Sequence, residues 1–420
     1  MMRRLAIAAV LASMALRSAN AQTPPVTAQA VAATAGSPIT VTLVTFGLGQ
    51  EVFERFGHNA LWFHDAATLE DSAYHWGLFS FSEPGFLLRF LTGDTNYWMG
   101  AVDARQLVES ERSRGRPVTL QRLNLTAAQA LKLREFVRWN EREEHKFYRY
   151  DYFGDNCSTR LRDALDGVLG GAIRRATDSV MTATSYRSES LRLTDGVAPV
   201  QAGIDVALGR PADVPLTRWQ SFFIPMRLRD AVRTIRVQDS AGASVPLVAD
   251  EQVVPLPAGA MPVPERLAAP TLTLRYAILG LLIAGLVVVL RVMMLSRRSA
   301  AWGLALLGSA WSLLCGTLGV ILLLAWTATR HVFWAWNENL LLLTPFSLAL
   351  VLLIPAAVLS RRRERAARMI AAVIAGLSLV ALLLAVLPGG QDNLAIVAML
   401  LPVHLAIAWA LALPRAAAPA

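Results

Sequence analysis

The 420-residue chain has only two cysteines, and their positions exclude a good deal. Cys157 is the only cysteine outside the apolar C-terminal half. Cys315 lies inside an apolar segment and is not expected to reach it. A disulfide framework is therefore not expected, and no paired-cysteine metal signature is present. The six histidines are also sparse. His58, His64, His75 and His145 precede the apolar half, at spacings that match no common ligand pattern, so no metal and no cofactor is expected. The chain also lacks internal repeats, a Gly-rich phosphate loop and a basic-aromatic module. Its formal net charge of +9 thus gives no reason to invoke nucleic acid.

The first residues bear on the compartment. Met1-Met-Arg-Arg4 is a short basic start, Leu5 to Leu16 is apolar but short for a membrane span, and Ala19-Asn-Ala21 is a small-x-small cleavage site. Residues 1–21 read as a secretory signal peptide and 22–38 as a flexible segment. Export would place a lone thiol where disulfides form and thiols oxidise, which suggests that Cys157 is used.

Residues 39–270 have the composition of a globular domain. Ile39–Phe46 alternates and is rich in β-branched residues, so a strand is expected. Further strands are expected at Phe56–Phe63, Ser72–Phe81 and Val118–Leu125. A helix is expected from a Thr126 cap to Glu144, with Leu131, Leu133, Phe136, Val137 and Trp139 as its apolar face. After the aromatic run Tyr148-Arg-Tyr-Asp-Tyr152, Leu161, Ala164, Leu165 and Val168 recur at helical spacing. Asp155 or Asn156 can cap that helix and set Cys157 in its first turn, where the macrodipole favours a thiolate. Strands followed by helices argue for an α+β fold. Pro84–Leu91 is expected to be a core helix under the sheet, with a surface element dipping into lipid as the alternative. Trp219–Pro225 could cover the site, and Val245–Pro270 reads as the end of the domain and a linker.

Residues 271–420 read as an all-α transmembrane domain with five spans near 276–295, 301–327, 340–359, 369–387 and 394–413. Arg291, near the end of the first, can snorkel. Basic residues cluster at Ser296-Arg-Arg298 and at Ser360–Arg365, whereas Gly389–Asn393 has none. The positive-inside rule then places the N-terminal domain outside and the C-terminus in the cytoplasm, in agreement with the signal peptide.

A cysteine nucleophile needs a base, and the base needs orientation. His58, in a Gly-His-Asn turn at a strand mouth, is the best base. His75 is the candidate orienter, with Asn59 and Tyr74 as competitors. His64 and His145 read as exposed. The segment His331–Asn339 would face the same side as Cys157. It reads as an interfacial aromatic belt built on Trp334 and Trp336, or as a headgroup contact through Asn337 and Glu338.

Phe56-Gly-His-Asn-Ala-Leu-Trp62, Tyr74-His-Trp-Gly-Leu-Phe79 and Tyr150-Asp-Tyr-Phe-Gly-Asp-Asn-Cys-Ser-Thr-Arg160 resemble the Lnb-type family. Its exported domain is a permuted papain-like (NlpC/P60-type) fold in which the histidine precedes the cysteine, joined to a small transmembrane domain. The resemblance implies an inner-membrane, cysteine-dependent acyltransferase that moves a phospholipid acyl chain through a Cys157 thioester to a lipoprotein N-terminus. It makes Cys157 and His58 the expected catalytic residues, with His75 the expected third from its strand position beside them. Asn59, Tyr74, Asn156, Asn337 and Glu338 are the expected substrate contacts. A periplasmic amidase or peptidase acting on the cell wall and a non-catalytic membrane assembly protein remain the alternatives.

Overall fold

A computed structural model describes residues 38–266 and 268–413. The signal-peptide segment, and all but the last residue of the segment read as flexible, lie outside the described residues. The order begins β1 (Ile39–Phe46), β2 (His58–Asp65), β3 (Glu70–Leu78), α1 (Phe86–Thr92), β4 (Asn96–Asp103), α2 (Ala104–Ser113), β5 (Val118–Leu123), α3 (Ala127–Asn140), β6 (Phe147–Arg149) and α4 (Cys157–Val168). It continues with α5 (Ala172–Thr177), α6 (Tyr186–Leu193), α7 (Ala198–Ala207), α8 (Pro225–Val232), the hairpin β7 (Arg236–Gln238) and β8 (Ser244–Pro246), and β9 (Val248–Val254). A seven-stranded antiparallel sheet has the order β6-β4-β3-β2-β1-β5-β9.

Strand alternation divides the sheet between two cores. Val41, Leu43, Leu61, Phe63, Tyr74 and Trp76 point to the face covered by α3 and α4, where they meet Leu133, Val137, Leu161 and Leu165. Val44, Phe46, Ala60 and Ala73 point to the other face, under Ala104 of α2. Burial of each large aliphatic side chain contributes about 1.5–3 kcal/mol, so the larger first face carries most of the stability.

The chain departs from its sequence pattern in four places. On α3 the buried stripe is Ala130, Leu133, Val137 and Asn140, whereas Leu131, Phe136 and Trp139 are exposed. The stripe runs through Asn140 because its Oδ1 accepts from the buried Trp76 Nε1 at 2.7 Å. Val248–Val254, expected in the domain end and linker, is the outermost strand, paired with β5. α1 has no buried residue and so does not underlie the sheet. Arg291, expected to snorkel, is buried and donates to the carbonyls of Ala410 and Leu413 at 2.8 and 3.0 Å. Carbonyls left open at a helix C-terminus satisfy its guanidinium more fully than a snorkelled pose requires.

The remaining helices are α9 (Thr273–Met293), α10 (Arg298–Ala328), α11 (Ser347–Ser360), α12 (Glu364–Val386) and α13 (Leu394–Ala412). All but α11 are long and apolar enough to cross a membrane. The expected third span begins later than its hydropathy does, because a 3-10 turn at Glu338–Leu341 and then Pro345 precede the helix. Fourteen residues reach about 21 Å at the α-helical rise, short of a hydrocarbon core of about 30 Å. The set of helices is compatible with a five-helix membrane domain. α9 and α13 pack closely because Gly280 has no side chain: a Cβ there would sit 2.3 Å from Met399 O.

A polar seam joins this bundle to the α+β body. Asn337 Nδ2 donates to Val206 O and Ala207 O, both at 2.9 Å, and Asn339 Nδ2 donates to Val206 O at 3.0 Å. Gln391 Nε2 donates to Leu208 O at 3.0 Å, and Arg210 donates to Gly389 O at 2.6 Å. The acceptors for Asn337, Asn339 and Gln391 are carbonyls at the C-terminal end of α7, which have no partner within their own helix. Behind them the fully buried Arg187 pairs with Asp205 at 3.0 Å and Asp213 at 2.6 Å.

Candidate functional site

The start of α4 is the most heavily tied helix end near the sheet. Asn156 Oδ1 accepts from the N–H groups of Ser158 and Thr159 at 2.9 Å each, and Thr159 Oγ1 accepts from Asn156 N at 2.8 Å. Asn156 Nδ2 donates to Tyr152 O and Phe223 O, both at 2.9 Å. The Asn156 amide is thus occupied within the fold, as a cap and a clamp. Ser158 Oγ donates to Phe222 O at 2.6 Å and accepts from Asn59 Nδ2 at 3.1 Å. Arg162 donates to Trp219 O at 3.1 Å and lies over the Trp219 ring. The Trp219–Pro225 cluster therefore holds the helix start in place.

These bonds fix Cys157, a free thiol that is 8 % exposed. Its sulfur lies near the N–H groups of Asn59, Ser158 and Cys157 itself, and near the Arg116 guanidinium, all of which favour a thiolate. Burial outweighs them and pushes the thiol up to about 11. The thiolate expected from the macrodipole is therefore not the resting form. A helix N-terminus contributes about 0.3–1 kcal/mol, whereas each pKa unit of desolvation costs about 1.4 kcal/mol.

His58 opens β2 and is half-buried. Its Nε2 lies 2.9 Å from Nδ1 of His75, with the two rings edge to face, and Phe46 stacks on its other side. Burial holds His58 well below its ordinary range, with smaller contributions from His75 and Arg116. Burial alone lowers His75 to about 4. Both rings are neutral at pH 7, so one hydrogen bond with one proton joins them. His75 Nε2 is buried without a partner.

Alternation places His58 and His75 on the sheet face of Ala60 and Ala73, and Asn59 on the face of α4. No hydrogen bond joins Cys157 to His58 in this conformation. The ladder between β2 and β3 ends at Leu61–Tyr74, so the strands part beyond it, and β3 has an irregularity between Trp76 and Leu78. Cys157 stands at this opening. A Cβ on Gly77, whose φ is +88°, would lie 3.3 Å from Cys157 Cβ and 3.6 Å from Tyr150 Cε2.

Arg116 was not legible as a site residue. It sits in Arg114-Gly-Arg-Pro117, which reads only as a turn, yet it is buried and anchored on Gly47 O by Nε at 3.1 Å and Nη2 at 3.0 Å, with Glu111 as its ion-pair partner. It lies close enough to act electrostatically on both His58 and Cys157. Tyr148 was also missed as an individual residue. Its hydroxyl is buried without a hydrogen-bond partner, its ring carries the Arg160 guanidinium at 3.7 Å, and it senses the charge of Cys157.

Other expected site residues lie elsewhere. Tyr74 packs edge-on against Phe63 on the face opposite His58, with its hydroxyl towards Arg138, and so does not orient His58. Asn337 is buried in the seam, and Glu338 accepts there from Gln391 N at 3.1 Å. His64, expected to be exposed, is held by Asp71 at 2.9 Å, and His145 stacks on Trp139. Cys315 is remote from Cys157 in sequence and lies in the helical bundle, with its sulfur 3.8 Å from His404 Nε2.

These features define an α+β protein with apolar C-terminal helices and a buried thiol at a capped helix start. Residues 28–189 match the family model of the Lnb N-terminal periplasmic domain. The match supports the Lnb-type family and covers the segment that carries His58, His75 and Cys157. No curated protein and no solved structure matches the chain.

Proposed function

We propose that this protein is a membrane-anchored acyltransferase that modifies lipoproteins, with Cys157 as nucleophile. The observation that carries this reading is the placement of the Cys157 sulfur against the Asn59 N–H, one residue from His58 of the His58–His75 pair, within the segment matched by the family. With His58 Nε2–H donating to His75 Nδ1, the lone pair of His58 Nδ1 is free to act as a base. Because the thiol rests neutral, proton removal accompanies attack.

In the first half-reaction the Cys157 sulfur bonds to the ester carbonyl of a phospholipid as His58 takes the thiol proton. The carbonyl oxygen becomes an oxyanion next to the Cys157 and Asn59 N–H groups. Collapse breaks the ester C–O bond, and His58 returns the proton to the departing lysophospholipid alcohol. In the second half-reaction the terminal amine of a lipid-modified cysteine attacks the thioester. His58 takes a proton from the nitrogen and returns it to the Cys157 sulfur as the amide forms. His75 holds the tautomer, and Tyr148 offers a further hydroxyl donor.

We read the α+β body as periplasmic and the bundle as spanning the inner membrane. The loops that meet the body, at 329–346 and 387–393, contain few basic residues, whereas the opposite ends carry Arg297, Arg298 and Arg361–Arg363. The domain limits then fall near 39–270 and 271–420.

The test is mass spectrometry of a lipoprotein N-terminal peptide from a bacterium depleted of its own N-acyltransferase. The host would express either the intact chain or Cys157→Ala. An amide-linked acyl group with the intact chain alone supports the reading. Modification by both forms removes Cys157 as nucleophile. Modification by neither, with the protein inserted, turns the reading towards a cell-wall amidase.

A further inference from the structure

α1 is a short apolar helix with little protein over it. Leu87, Leu88 and Leu91 are 60, 67 and 57 % exposed, and Phe81 and Phe90 beside them are exposed as well. Its only charged residue, Arg89, turns away to Glu83 at 2.7 Å. The C-terminal end of α1 is fastened to the end of α10. Thr92 O accepts from Arg330 N at 2.9 Å, Phe90 O accepts from His331 Nε2 at 3.1 Å, and Arg330 pairs with Asp94 at 2.9 Å. α10 is one of the helices long and apolar enough to cross a membrane. α1 therefore stands at the end of that helix, with its leucines uncovered.

From α1 a row of rings leads inward. Phe90 stacks on Phe86 at 6.2 Å, Phe86 on Phe79 at 5.7 Å, Phe79 packs on Tyr97 at 5.0 Å, and Tyr97 stacks on Tyr150 at 4.3 Å. Tyr150 borders the Gly77 opening at Cys157. A continuous row of packed rings thus runs from the exposed leucines to Tyr150, beside the thiol. A patch of this kind, continuous with a spanning helix, is matched by lipid. Its methyl and ring carbons offer a peptide backbone no hydrogen-bond partners.

We infer that α1 lies in the outer leaflet and that the row Phe90, Phe86, Phe79, Tyr97, Tyr150 is the route by which the acyl chain of a bilayer lipid reaches Cys157. The route rests on the acyl-transfer reading; the immersion of α1 does not.

The experiment uses the full chain in vesicles of phosphatidylethanolamine and phosphatidylglycerol, with a spin label on Leu88→Cys in a Cys157→Ser, Cys315→Ala background. Power saturation should show severalfold greater exposure to oxygen than to a water-soluble nickel chelate. Nickel exposure equal to or above that of oxygen overturns the immersion. The unmodified chain, photolysed with a phospholipid carrying a diazirine in its acyl chain, keeps the question open to test if the labelled variant misfolds. Crosslinks are expected within residues 79–97, and crosslinks confined to α9–α13 overturn the route. Thioester formation on Cys157 is read in parallel. Immersion without a thioester leaves α1 in the leaflet and defeats the acyl-transfer reading. A thioester with a water-exposed label defeats this inference alone.

Discussion

On the acyl-transfer reading, Cys157 is a nucleophile whose resting state is unreactive on its own. With the thiol pushed up to about 11, about one molecule in ten thousand carries a thiolate at pH 7. Alkylation by iodoacetamide, followed by mass spectrometry, should therefore be slow at pH 7 and climb steadily towards pH 11; a plateau near pH 8.5 would mean that the surroundings do not destabilise the anion. His75 supplies a second test. Its folded pKa of about 4 lies below the ordinary 6.5, so the unfolded chain takes up the proton first as pH falls. The stability it contributes is complete above about 6.5 and is lost as pH falls towards 4. Thermal unfolding of the detergent-solubilised chain should show this loss, and His75→Phe should flatten it. The same change should slow Cys157 acylation by roughly ten- to a hundredfold, the usual cost of losing an orienting partner, whereas His75→Asn should retain part of the rate. Cys157, His58 and His75 could be picked out from the sequence as reactive types. The neutral resting state could not, because it follows from burial in a core that also holds Tyr74, Trp76, Leu133 and Phe222, residues distant in sequence.

At the scale of the element, the helix start is where local sequence speaks most clearly. Asn156 caps α4 as its neighbours predict, and Thr126 caps α3 with Gln129 returning the bond. Asn156→Ala should destabilise the body by about 1–2 kcal/mol through the cap alone. Its two side-chain donations to Tyr152 O and Phe223 O add to the loss. Asn156→Ser, which keeps a capping oxygen and lacks the amide, should unfold at a temperature between the two. β1, β2, β3 and β5 were legible because alternation and β-branched residues mark them locally. β9 was not, since Val248-Ala-Asp-Glu-Gln-Val-Val254 is half charged or polar and acquires strand structure from β5. α1 misled in the opposite sense. An apolar run indicates burial in something, and composition does not say whether protein or lipid provides it.

At the scale of the molecule, the α+β body and the bundle act as one piece through the seam at Asn337, Asn339 and Gln391. Combining Asn337→Ala with Asn339→Ala should leave the Val206 and Ala207 carbonyls without these donors and loosen the body. Limited proteolysis should then cut faster between residues 255 and 272, and an unchanged rate would show that the seam carries no load. No sequence pattern reveals such a seam, because its partners lie 130 to 183 positions apart and the acceptors are backbone carbonyls. The apolar runs, by contrast, place the bundle well, except at α11, where Pro345 and a tight turn shorten the helix.

The seam has a kinetic consequence. On the membrane-anchored reading, a body bolted to the bundle keeps the thiol at a fixed height above the bilayer, and its encounters become two-dimensional. For any substrate dissolved in the same leaflet, the rate should follow mole fraction in the plane: adding inert lipid should slow the reaction at constant total substrate, and diluting the whole vesicle suspension should not.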